Sequence, residues 1–319
     1  MKSENTTLVQ QLTNITKDLR FPSEASQGFE AFVYEAYGNE ELTLEKLMLL
    51  EGFLFPVTAN DFIQFVSSEA SWVTCDPSVS SLLPLEVSNE MSLKYSELIK
   101  FLISNFKTLE IFLIRNLGYG NQEMRKESLK KSKIGDPSLF LLPLVDFRES
   151  NQLCIEQEAF HILIGETFDN DYVAIAPKLD GSRDSKGARS RPPDCSHNEK
   201  TIELKSNILE LTRDLEFSVI QNLSFDRIKE VIIETAVTKE FLFLRLLNKL
   251  DFLKISTFEK YSILFDEIEK FQDLDNFLES RLTDVKDYTI GLNAVFYIYS
   301  IGRSSEGDWL GVSTSATWT

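Results

Sequence analysis

With 319 residues, 43% of them hydrophobic and 24 of them Phe, the chain has the apolar content of a folded protein; disordered sequences lack the apolar surface that offsets ordering entropy. Its length suits two domains. The 50 Asp and Glu outnumber the 33 Lys and Arg, for a net charge of −17 at pH 7, which argues against direct binding to nucleic acid or to an anionic membrane, because both draw affinity from Lys and Arg.

No stretch has the length of a membrane span, and Met1 to Asn5 opens without the apolar run of a signal peptide, so a cytoplasmic protein is expected. Cys75, Cys154 and Cys195 are odd in number and lack metal-ligand spacing, which argues against a disulfide framework or a zinc site. Leu8, Leu12, Ile15 and Leu19 recur at helical spacing ahead of Pro22 and predict a first helix over 6–19. Phe29 to Tyr34, following Gly28, reads as a strand. Leu42 to Leu50 and Phe62 to Val66 read as short helices, and Ser92 to Leu117 as a long helix with a break near Lys107. Gly118 to Lys133 is polar with a basic cluster and reads as a solvated loop. Ala159 to Gly165 and Tyr172 to Ala176, joined through Asp169-Asn170-Asp171, read as a β-hairpin.

Lys178 to Lys200 is rich in Gly, Ser, Arg and Pro and reads as a linker. Beyond it the order of elements recurs. Leu209 to Phe217 parallels Thr13 to Phe21, both ending in Asp-Leu-x-Phe, and Ser224-Phe225-Asp226 parallels Gly28-Phe29-Glu30. A long amphipathic helix is predicted over Phe258 to Leu282. A closing hairpin follows, from Phe296 to Gly302 and from Trp309 to Thr314. The expected organisation is a first unit over 1–178, a linker over 179–200 and a second unit over 201–319.

The residues offer little catalytic chemistry. His161 lies within an apolar strand, as a packed core imidazole would, and His197 lies in the linker. There is no nucleophile elbow, phosphate-binding loop, dinucleotide fingerprint or Cys/His metal pattern. A protein that is not an enzyme, with no cofactor and no metal of its own, is the expectation. Two carboxylates stand out by position. Glu24, in Phe21-Pro22-Ser23-Glu24, sits on a short loop between helix and strand, where it reads either as a solvated acid, one held by Ser23 included, or as a phosphate substitute on a stiff turn. Thr319 follows the last strand closely, so an α-carboxylate there is held near the sheet.

At these residues the chain resembles the nuclease A inhibitor family, acidic proteins that block a sugar-non-specific, magnesium-dependent endonuclease. The likeness rests on Asp18 to Glu24 and Gly28 to Glu35 at one end, and on Ile298 to Gly302, Trp309 to Thr314 and Thr319 at the other. It implies an α+β fold of three-layer α/β/α sandwich units, here in tandem. It also implies that Glu24, beside Ser23, and the Thr319 carboxylate, beside Trp318, face the metal of a partner nuclease. The family's Asp-Trp contact has its nearest counterpart in Ser71-Trp72, which lacks the acid, with Asp76 close by; Trp72 also reads as a core residue. The position aligned with Glu24 in the second unit is Ile220, so neither consecutive unit carries the whole set.

The expected function is inhibition of a basic, metal-dependent DNA/RNA endonuclease, with carboxylates imitating substrate phosphate. The alternative is a tandem-repeat interaction scaffold that keeps the fold without nuclease inhibition.

Overall fold

The computed structural model of the protein describes residues 3–24, 27–36, 41–69, 86–117, 156–180, 182, 198–221, 224–292 and 295–317. Its first helix, α1 (Ser3–Thr16), is fixed by Leu8 and Leu12, which are 7% and 0% exposed. The Thr16 hydroxyl turns back to donate to the Leu12 carbonyl at 3.0 Å. The chain then runs through Phe21 and Pro22 into β1 (Glu30–Tyr34).

The following elements are α2 (Leu44–Leu50), β2 (Leu54–Pro56), α3 (Ala59–Ser67), β3 (Ser68–Glu69), β4 (Glu86–Val87), α4 (Asn89–Asn105), β5 (Phe106–Leu117), β6 (Glu156–Thr167) and β7 (Tyr172–Pro177). After these come α5 (Glu199–Thr212), β8 (Phe217–Gln221), β9 (Ser224–Ile228), β10 (Val231–Ala236) and α6 (Lys239–Lys249). The chain closes with β11 (Leu253–Thr257), α7 (Tyr261–Leu264), α8 (Ile268–Arg281), β12 (Thr283–Ile290), β13 (Val295–Arg303) and β14 (Trp309–Thr317). Helices and antiparallel sheets thus occur together, in keeping with an α+β class. The two hairpins read from the sequence are β6–β7 and β13–β14.

Two compact units result, and neither has a boundary at 179–200, where the division was expected. One combines Met1–Thr43 with Asp251–Thr319; the other is Leu44–Leu250. Strand pairing is the reason. In the first, β1 lies along β14 from Glu30↔Ser313 to Tyr34↔Trp309, completing a five-stranded antiparallel sheet β1-β14-β13-β12-β11. In the second, β10 lies along β7 from Val231↔Pro177 to Ala236↔Tyr172, giving β10-β7-β6-β5-β2, with β8 and β9 joined to it through β6.

The terminal unit buries Leu8 and Leu12 of α1 with Phe271, Leu274 and Leu278 of α8 against Leu310, Val312 and Ala316 of β14. The central unit buries Tyr95, Leu98 and Leu102 of α4 with Leu204 and Ile208 of α5 against Leu163, Val173 and Ile175. Burial of this kind supplies most of a helix's stability in a folded protein.

Two helical readings are corrected. The break expected near Lys107 is the end of the helix: α4 stops at Asn105, and the stretch beyond it, read as more helix, is strand, with Phe106, at φ −115° and ψ 146°, beginning β5. Ile111, Phe112, Leu113 and Ile114 are all buried, so this run is covered on both faces, a pattern that a helical segment shares. Likewise the helix expected over 258–282 is split into α7 and α8 by Asp266, at φ 54°. Ser224-Phe225-Asp226, read as the counterpart of the first strand, lies instead in β9, paired to β8; the strand in the matching sheet position is β10.

Candidate functional site

Glu24 sits on a tight excursion between α1 and β1. Phe21, 4% exposed, anchors it by packing edge-on to Phe265 with ring centroids 4.9 Å apart. Its N–H donates to the Gln27 carbonyl at 2.7 Å, and the Ser23 N–H donates to the Phe21 carbonyl at 2.9 Å. The decisive contact is the Glu24 N–H, which donates to the carbonyl of Thr317 at 3.1 Å. On the far side of the loop, Thr314 Oγ1 donates to the Gly28 carbonyl at 2.9 Å. The loop is therefore tied to the last four residues of β14 at two points. Ser23 is half-buried and Glu24 is exposed, so an acid stands at the sheet's end on a backbone held from both sides.

This brings together residues about 300 positions apart that belong to different units of the expected division. Of the predicted site residues, Glu24 and Ser23 are in this loop. Thr319 and Trp318 lie just past Thr317 but outside the described residues, as do Trp72 and Asp76. Ile220 lies in β8, bridged to Ala159 of β6, and the β8–β9 hairpin occupies its segment.

Residues that the sequence reading did not single out hold the arm carrying Glu24. Asp308, 2% exposed, sits in the turn between β13 and β14. It accepts from Asn5 Nδ2 in the first turn of α1 and, at 2.8 Å, from the Ala36 N–H beyond β1. One carboxylate thereby grips both ends of the arm, and charge-assisted bonds of this sort are stronger than neutral ones. The available signal was an Asp in the turn of the other hairpin read from the sequence: Asp171, between β6 and β7, accepts from Thr201 Oγ1 of α5 at 2.8 Å.

Beneath the sheet, Tyr261 Oη and Ser300 Oγ are 2.6 Å apart, and Ser300 in turn donates to Asp287. Burial pushes the Tyr261 phenol well above its ordinary value and raises the Asp287 carboxyl, the latter opposed by the bond from Ser300. Asp275, 2% exposed, accepts from the N–H groups of Tyr261 and Ser262, both at 2.9 Å, and so fixes the start of α7. These groups stiffen the core behind the loop. Among the described residues no group of three or more His, Cys, Asp or Glu is placed to hold a metal ion, and no helix is long and apolar enough to cross a membrane.

His161, 2% exposed on β6, packs against Phe62 and Phe65 at 5.3 and 4.7 Å between centroids. Burial lowers its pKa to about 3. It is a core residue, remote in kind from a catalytic histidine.

Residues 226–319 match the family model of nuclease A inhibitor-like proteins. The matched span begins in β9, runs through β10 and α6 of the central unit, and continues through β11 to β14 of the terminal unit. No curated protein sequence is matched by this chain.

Proposed function

We propose that the terminal unit is a protein inhibitor of a basic, metal-dependent nuclease, presenting Glu24 and the Thr319 end of the chain to the enzyme's metal site as substitutes for substrate phosphate. The observation carrying this reading is the hydrogen bond from the Glu24 N–H to the Thr317 carbonyl, which sets the exposed acid beside the segment leading to Thr319. The match of residues 226–319 to nuclease A inhibitor-like proteins supports it.

The physical sense is electrostatic. A carboxylate on a pre-ordered backbone loses little conformational freedom on docking. Within a desolvated cleft it complements a cation far better than its neutral amide does. The net charge of −17 speeds encounter with a basic surface and excludes the anionic substrate from it. The metal belongs to the nuclease; the inhibitor supplies acceptor oxygens only. Both units are proposed to be sandwiches of the inhibitor type. A second reading, as an interaction scaffold without nuclease inhibition, fits the central unit, where Ile220 stands at the position aligned with Glu24 and is drawn into β8.

The experiment is a titration of the protein into DNA digestion by a magnesium-dependent nuclease of the ββα-metal class, with magnesium in excess so that chelation has no effect. Glu24→Gln removes a charge from a pair buried on docking, at a cost of about 2–5 kcal/mol. The inhibition constant is expected to rise by roughly 30-fold or more, and inhibition to weaken as salt is raised. Equal inhibition by the wild type and Glu24→Gln refutes the assignment of Glu24; no inhibition by the wild type refutes the function.

A further inference from the structure

We infer that the chain is two copies of one repeat, the first ending at β7 and the second beginning at α5, which have exchanged their N-terminal helix-strand arms. The α1–β1 arm of the first copy completes the sheet of the second, and the α5–β10 arm of the second completes the sheet of the first. This goes beyond the proposed inhibition and stands independently of it.

The strand orders carry the argument. Numbered within each copy, β2, β5, β6 and β7 of the first correspond to β11, β12, β13 and β14 of the second, and both sheets run in that order with an arm strand added beside the last. The added strand is in each case the other copy's: β10 beside β7, and β1 beside β14.

Details that a shared fold class does not require repeat between the copies. Gly52 and Asp251 both have positive φ, 73° and 59°, and each precedes Phe-Leu. The two Phe carbonyls then accept from Arg115 and Gly291 N–H groups, both at 2.9 Å. The long helices α4 and α8 pass directly into strands with the same backbone angles, φ −115° and ψ 146° at Phe106 and φ −123° and ψ 150° at Leu282. Without a gap, Leu98, Phe101 and Leu102 fall on Leu274, Phe277 and Leu278. The hairpin turns close identically, Thr167 N–H to the Asp171 carbonyl at 2.7 Å and Ser304 N–H to the Asp308 carbonyl at 2.8 Å.

The arms are held in the same way in both sheets. Aligning Asp18-Leu19 with Asp214-Leu215 places Asn5 on Thr201, and these are the two side chains that donate to Asp308 and Asp171. Thr16 falls on Thr212, each donating four residues back, at 3.0 and 2.9 Å. The inhibitor-family match crosses from the central to the terminal unit at Leu250, as a linear repeat must if its arm is in the other sheet. One consequence concerns the candidate site. Glu24 comes from the first copy and Thr317 from the second, whereas at the corresponding edge of the other sheet the β8–β9 hairpin intervenes, so exchange leaves one composite carboxylate edge per chain.

The test uses the full chain with Cys75, Cys154 and Cys195 replaced by Ser and a specific protease site inserted after Gly187. Tyr34 and Trp309 are direct cross-strand partners, so their β-carbons lie close to disulfide range. Without exchange, Tyr34 would instead face Tyr172, the partner of Ala236. After mild oxidation, cleavage and denaturation, Tyr34→Cys with Trp309→Cys is expected to keep the two fragments covalently joined, and Tyr34→Cys with Tyr172→Cys to form no bond. Bond formation by the 34/172 pair but not by 34/309 overturns the exchange. A second measurement needs no substitution in the sheets. The cleaved chain without engineered cysteines is expected to elute from gel filtration as one particle containing both fragments, and two separately eluting folded fragments overturn the inference.

Discussion

Replacing Asp308 by Asn tests how the arm bearing Glu24 is held. The Asp308 carboxylate accepts from Asn5 Nδ2 through one oxygen and from the Ala36 N–H at 2.8 Å through the other, in a side chain 2% exposed. Hydrogen bonds to a charged group contribute about 1.5–3 kcal/mol each. Asn keeps the shape but has one acceptor, so one bond survives as a neutral one and the other becomes donor facing donor. The net loss is about 2–4 kcal/mol. Because Asn5 and Ala36 flank the arm at its two ends, the loss is expected as local opening of α1 and β1. Amide exchange in Glu30 to Tyr34, followed by mass spectrometry, should accelerate roughly 30- to 700-fold. The same change at Asp171 should instead loosen α5 and β10. Unchanged protection in β1 with uniform acceleration elsewhere would refute the clamp.

Three further outcomes are expected. His161, whose folded pKa is lowered to about 3 by burial, is neutral in the fold, so its contribution is complete above the unfolded value near 6.5 and is lost as pH falls towards 3. Urea unfolding should show the wild type losing about 2 kcal/mol more than His161→Leu between pH 7 and pH 5; parallel pH profiles contradict this. Gly311→Ala puts a Cβ 1.9 Å from the Ser300 carbonyl oxygen across the β13–β14 pair, and should destabilise by about 3 kcal/mol or more. Gly307→Ala meets no atom within 4 Å but sits at φ +87°, and should cost only about 1–2 kcal/mol; the two melting temperatures in the reverse order would dismiss the steric account. Finally, calorimetry with the nuclease should give one enzyme per chain, since only one sheet pairs the Glu24 loop with a β14-type end, and a ratio of two would refute a single site.

Local pattern was sufficient for much of this protein. The Leu8/Leu12 stripe, the Asp-Leu-x-Phe ends and the two hairpins with their Asp-bearing turns are short-range signals, and the structure has an element at each. The same signals failed where two conformations share one pattern: Ile111 to Ile114 is a continuous apolar run within Phe106 to Leu117, and only its pairing with β2 and β6 decides for a strand. The six-residue offset introduced by the β8–β9 hairpin likewise shifted the alignment from β10 to β9. Glu24 was legible as an acid on a turn, but its neighbour was not. Which sheet edge an arm joins is a choice between two edges of similar pattern, β7 and β14, each an aromatic residue followed by branched apolar residues alternating with small ones, so the amino-acid sequence of the arm is compatible with either. Long-range pairing decided it, and with it the meeting of Glu24 and Thr317 from opposite ends of the chain.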